Sequence, residues 1–250
     1  MNAHSFEDEF NFLVTMAQIA SKEIAKKEKR AWDMREGFFI LEADELRILL
    51  NQFISVGTFA VIENHCRWLG GEAEIALSER PQWGEIRTKI EKYMNNSFDN
   101  FPEFSTVENL RILSNCFKHK SGWPSMEMVR KSNRPDLIDG EKFVGSPDYV
   151  RTIFWTSIDI FHNIYKAERF LTILTNTIRL KPFSDLIGQK LKAEILNKID
   201  TGYLVIINDS IEVYVDVPDS LNFDIGEEIM VSLDQAKPEN IIYIRLTKDG

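Results

Sequence analysis

Between positions 108 and 120 the chain reads Glu108-Asn109-Leu110-Arg111-Ile112-Leu113-Ser114-Asn115-Cys116-Phe117-Lys118-His119-Lys120. On a helix, Arg111, Asn115 and the pair Lys118/His119 recur at i, i+4, i+7 and i+8, so they share one polar face while Leu110, Leu113 and Phe117 turn inward. A cation, an amide, an ammonium and an imidazole gathered in this way suit a phosphodiester. The imidazole titrates near neutral pH and can take and return a proton, and the cations stabilise charge developing on phosphorus. Lys and His also complement the dipole at a helix C-terminus, so the residue types alone leave a purely structural reading open. Downstream, Lys118, Lys120, Arg130, Lys131 and Arg134 face a single acid, Glu127, with Trp123 in the same stretch as a stacking surface. Lys118, Lys120, Trp123 and Arg130 are therefore the expected substrate-holding residues, although a solvated loop has the same composition.

Helices must position these groups, and helical periodicity dominates to about position 180. The spacing predicts helices over 6–30, 43–69, 83–96, 105–119 and 147–177. In the second, Leu46, Leu49, Leu50 and Phe53 fall at i, i+3, i+4 and i+7 and are expected to form a buried stripe. Val150, Ile153, Phe154, Ile158, Phe161 and Tyr165 trace a similar face on the last. Ser105 with Glu108 has the spacing of a capping box, and Ser146-Pro147-Asp148 supplies a cap, a fixed φ and a negative charge for another helix start. The connection of about 27 residues between them exceeds the roughly 12–15 that compact domains tolerate without internal structure. Asp139-Gly140 predicts a hairpin over 137–144.

After Pro182 the period changes from 3.6 to 2. Leu191, Ala193 and Ile195 alternate with Lys192 and Glu194, Ile211 to Val217 alternate with acids and Tyr214, and Ile229, Val231, Leu233 and then Ile242, Ile244, Leu246 follow. Five short strands broken at Gly202 and Gly226 predict a small barrel, whose closure removes exposed edges. The fold class is thus α+β, an all-α helical bundle over 1–181 followed by an OB-like antiparallel β-barrel over 182–250.

Composition narrows the function classes. With 44 % hydrophobic residues in 250, the chain has material for a real core. Apolar runs end well before the roughly 20 residues a bilayer span needs, and Glu7, Asp8 and Glu9 stand where a secretory leader is basic, so a cytoplasmic protein without membrane contact is expected. Cys66 and Cys116 cannot build a disulfide framework and read as small core residues. No metal or other cofactor is expected. Cys116 and His119 have ligand spacing, but the adjacent His65 and Cys66 point in different directions on a helix, and no phosphate-binding glycine loop, dinucleotide fingerprint or Ser nucleophile motif is present. The net charge of −9 disfavours generic coating of a polyanion. From Gly188 onward there are six basic residues against twelve acidic ones, the wrong sign for a groove that tracks a nucleic-acid backbone, so the barrel is expected to dock a protein partner.

The polar residue followed four positions later by His, at the end of a helix in an all-helical region, resembles the HEPN superfamily. Asn115 and His119 match its polar and His positions. The Asn-x-x-Lys-His-Lys-Ser-Gly run, the segment 59–63 and the helix start at 146–150 are also similar to HEPN-like proteins of bacterial toxin and defence systems. The resemblance covers about 6–177. It implies a metal-independent ribonuclease that pairs two motifs across a homodimer, with the RNA 2′-hydroxyl as nucleophile. His119 is then general base or acid, Asn115 orients it, and Arg111 with Lys118 holds the phosphate. Where the family has Arg immediately before the polar residue, this chain has Ser114, and Arg111 lies one turn earlier. The family also contains non-catalytic members that serve as interaction or regulatory modules, the alternative for this chain. The tail from Gly188 to Leu246 resembles an S1-like or other OB-type module in its glycines and alternating residues.

Overall fold

A computed structural model describes residues 6–34, 37–120, 130, 149–199, 202–216, 222–236 and 241–246. Among these are five α-helices, α1 (Phe6–Met34), α2 (Gly37–Glu72), α3 (Trp83–Met94), α4 (Phe104–Lys120) and α5 (Tyr149–Leu180). Five strands follow, β1 (Lys190–Ile199), β2 (Gly202–Ile207), β3 (Ile211–Asp216), β4 (Glu228–Ala236) and β5 (Ile241–Leu246). The expected hairpin over 137–144 and the helix start at Ser146 lie outside the described residues. No described helix is long and apolar enough to cross a membrane. The contacts divide the chain into two compact units, one of Met1–Asn64 with Glu103–Glu168, the other of His65–Pro102 with Arg169–Gly250.

In the first unit α1 and α2 run antiparallel. Arg47 pairs with Glu28 late in α1, while Gly57 sits beside Leu13 early in it, where a Cβ would come within 2.8 Å of a Leu13 methyl. The core comprises Phe6, Phe10, Leu13 and Ala17 of α1, Ile54, Phe59 and Ile62 of α2, Val107, Leu110, Ile112 and Leu113 of α4, and Ile164 of α5. Two expected stripes are corrected here. Leu49 and Phe53 are exposed, because α2 turns the face through Ile54, Thr58, Val61 and Ile62 to the core instead. On α5, Tyr165 is exposed and Ile164 takes the core position one residue before it.

The capping box is also corrected. α4 begins at Phe104, and the backbone carbonyl of Glu103 accepts from the amides of Thr106 at 2.9 Å and Val107 at 3.3 Å. Ser105 lies inside the first turn, and the Glu108 carboxylate turns to Arg111.

In the second unit the strands form one antiparallel sheet of order β3-β2-β1-β4-β5, curled into a half-barrel. A bulge between Ile195 and Asn197 bends β1, which pairs with β2 on one side and β4 on the other. The three-residue β2–β3 connection puts Asn208 and Asp209 in the left-handed region at φ 51° and 57°, and the Ser210 amide closes the turn onto the Ile207 carbonyl at 3.2 Å. Alternate residues point inward, Ala193 and Ile195, Tyr203, Val205 and Ile207, Val213 and Val215, Val231 and Leu233. Leu180, the last residue of α5, packs into the same core.

The end of α5 also completes the open edge of the barrel. Asn176 Nδ2 donates to the Tyr214 carbonyl at 2.7 Å, and its Oδ1 accepts from the Tyr214 amide at 2.8 Å. Arg179 donates to the Glu212 carbonyl, two residues away on the same edge. Thr177 Oγ1 accepts from the Ile242 amide of β5, the other edge strand. Unpaired strand edges invite foreign strands, and here three polar side chains from the last two turns of α5 occupy them.

Candidate functional site

α4 carries the polar stripe the sequence predicts. Leu110, Ile112, Leu113, Ser114 and Cys116 are buried, whereas Glu108, Arg111 and Asn115 are half-exposed and Lys118 is exposed. The latter four lie at i, i+3, i+7 and i+10, a single face of the helix. His119 and Lys120 occupy the last turn of α4, with side chains outside the described set, as is Trp123. Arg130 is helical and exposed. The structure thus places Arg111, Asn115 and Lys118 together on one face.

Two features bear on what this face can do. Arg111 is gripped by Glu108 through both Nε, at 2.9 Å to Oε2, and a terminal nitrogen, at 2.6 Å to Oε1. This fork fixes the guanidinium and occupies donors that a phosphate needs, but a half-exposed pair three residues apart is worth only about 0.2–0.5 kcal/mol and yields to a dianion. The second feature is Ser114. It is fully buried, and among the described residues its hydroxyl has no hydrogen-bond partner, so the position where the HEPN motif carries Arg points into the core of its unit.

No family model and no curated protein matches this chain.

A second polar constellation, which sequence reading missed, lies in the barrel-bearing unit. His65 Nε2 meets Thr175 Oγ1 at 2.9 Å, the ring packs 5.1 Å from Trp68, and Arg179 lies over that indole at 5.3 Å while forking onto Glu72. Nearby, a cleft of about 490 Å³ is lined by Glu72, Tyr93, Arg179, Asp209 and Glu212 among others. Arg179 is held on three sides by Glu72, the Glu212 carbonyl and Trp68, so it serves as a strut. His65 and Cys66 are both buried, and among the described residues no three His, Cys, Asp or Glu side chains assemble a metal site.

Burial, and secondarily the Arg179 charge, pushes the His65 imidazole down from 6.5 to about 3. The folded chain refuses a proton that the unfolded chain accepts, so stability is complete above about pH 6.5 and falls as pH drops toward 3. Acidification from pH 7 to pH 5 is expected to cost about 2 kcal/mol through this group. Urea titrations at the two pH values check this, and His65→Gln, which keeps a polar partner for Thr175, flattens the dependence.

Proposed function

We propose that this is a HEPN-like protein that acts on RNA through the exposed face of α4 leading to His119, with an OB-like barrel as an attached docking module. The observation that carries this reading is the placement of Arg111, Asn115 and Lys118 on one unburied face of the helix that ends in His119 and Lys120. In this scheme the imidazole of His119 removes the proton of an RNA 2′-hydroxyl. The 2′-oxygen forms a bond to phosphorus while the P–O5′ bond breaks, and the proton returns to the departing 5′-oxygen. Asn115 orients the imidazole. Arg111, Lys118 and Lys120 hold the phosphate charge, and Trp123 and Arg130 contact flanking nucleotides. In the HEPN arrangement two copies present their motifs to one RNA, so the active species is a homodimer.

A non-catalytic reading is favoured by the two features of α4 already described, the engaged Arg111 and the buried Ser114. On that reading the same face and the acidic barrel bind partners without chemistry. One experiment separates the two. Purified protein is incubated with total RNA in chelator beside His119→Ala. Cleavage that disappears in the variant supports the enzyme, whereas intact RNA with a folded wild-type protein supports the interaction module.

Glu108→Gln gives an independent check on the phosphate-holding role. Loss of the competing carboxylate is expected to tighten RNA binding about twofold to threefold at low salt. An unchanged affinity, measured by fluorescence anisotropy, removes Arg111 from the contact set.

A further inference from the structure

α1 and α2 expose an apolar face that the core of their unit does not use. On α1, Phe12, Met16 and Ile19 recur at i, i+4 and i+7, and Phe12 and Ile19 are 59 % and 54 % exposed. Across the antiparallel pair, Leu49 and Phe53 of α2 are likewise more than half exposed. A cleft of about 340 Å³ opens between the two helices beside Phe12, Leu13, Gly57 and Val61, with Asp8 and Glu9 at its end. Five large apolar side chains on this pair of helices stand in the open, more than the single exposed residues usual on a protein surface.

The charges flanking this stripe choose its occupant. Exposed Asp8 and Glu9 precede it on α1, and exposed Lys22, Lys26 and Lys27 follow it, with Glu23 paired to Lys26 at 2.6 Å. One end of the helix is acidic and the other basic. A helix of this pattern matches a second copy of itself only when the two run antiparallel, the relation a two-fold axis imposes. An axis crossing α1 between Thr15 and Met16 sets Phe12 opposite the second copy's Ile19 and Glu9 opposite its Lys22.

We propose that this α1–α2 face is the surface on which two copies of the chain associate, with α1 packed antiparallel against α1. None of the residues involved lies on α4, so the proposal stands apart from the RNA reading. In this register Ile19 lies opposite the second copy's Phe12, at the mouth of its inter-helix cleft, and the charged ends fix the register.

Sedimentation equilibrium of the full chain over a range of concentrations tests this. The wild type is expected to be a dimer, and Ile19→Glu, at an exposed position, to raise the dissociation constant about tenfold or more with an unchanged circular dichroism spectrum. Glu9→Lys or Lys22→Glu alone weakens the dimer, and the two together in one chain restore it. A monomeric mass at every concentration overturns the proposal, as does a dimer indifferent to Ile19→Glu and to the charge reversals. Cleavage of RNA by such a monomer rejects this interface together with the homodimer of the RNA reading, and a stable dimer without RNA activity rejects the α4 chemistry while leaving this interface standing.

Discussion

Replacing Asn176 by Leu is expected to destabilise the barrel-bearing unit by about 2–5 kcal/mol, because the side-chain amide that bonds both backbone groups of one buried residue is lost. Asn176 and Tyr214 are both almost fully buried, and the amide of one side chain satisfies both the N–H and the C=O of Tyr214 on the outer edge of β3. Leu preserves the size of Asn and supplies neither donor nor acceptor. Each buried backbone hydrogen bond lost without replacement costs about 1–3 kcal/mol. Thermal melts and urea titrations give the magnitude. Amide hydrogen exchange gives the location, since protection should fall first along β3 and its partner β2. A variant as stable as the wild type would show that the helix-to-edge bonds contribute nothing to holding the barrel closed.

The second large effect concerns Ser114→Arg, which writes the HEPN family's arginine into its usual place beside Asn115. By the resemblance alone this substitution would complete the HEPN motif. In the structure it drives a guanidinium into a fully buried site on the core side of α4. An unpaired buried charge is among the few single changes that cost more than about 4 kcal/mol, so the variant is expected to unfold the first unit and to cleave no RNA. Ser114→Ala is the control. It removes a hydroxyl that has no hydrogen-bond partner among the described residues and should be neutral or slightly stabilising. A folded Ser114→Arg protein with raised RNA cleavage would mean that position 114 reaches the polar face after all.

Much of the fold was legible because its signals are local. The 3.6 period located α1 to α5 to within a few residues where their ends are described, and the period of 2 assigned Ala193, Ile195, Val213, Val215, Val231 and Leu233 to the barrel interior. Periodicity states which residues share a face and not whether anything covers it. Leu46, Leu49, Leu50 and Phe53 read as core for that reason, although two of the four, Leu49 and Phe53, are exposed. The Ser105–Glu108 spacing misled in a related way. Glu108 had a competing partner three residues on, and the helix start had already been taken by the Glu103 carbonyl.

The candidate site was legible as a face but not in its state. Arg111, Asn115 and Lys118 fall together by helical geometry, which any reader of the spacing obtains. That Arg111 is forked onto Glu108 depends on rotamers, and that Ser114 is buried depends on which side of α4 the core lies.

From the linear chain alone come the kind and order of the elements, the switch from helix to strand near Pro182, and the shared face of the α4 polar residues, since each follows from side-chain spacing over a few turns. Tertiary structure alone assigns the end of α5 to the barrel. Asn176 meets Tyr214 across 38 positions and His65 meets Thr175 across 110, separations over which no local pattern carries information. The physical reason is the same in both cases. A buried polar group must find a partner wherever the fold brings one, and an Asn or a His on a helix does not reveal in the sequence which distant backbone or hydroxyl it will satisfy.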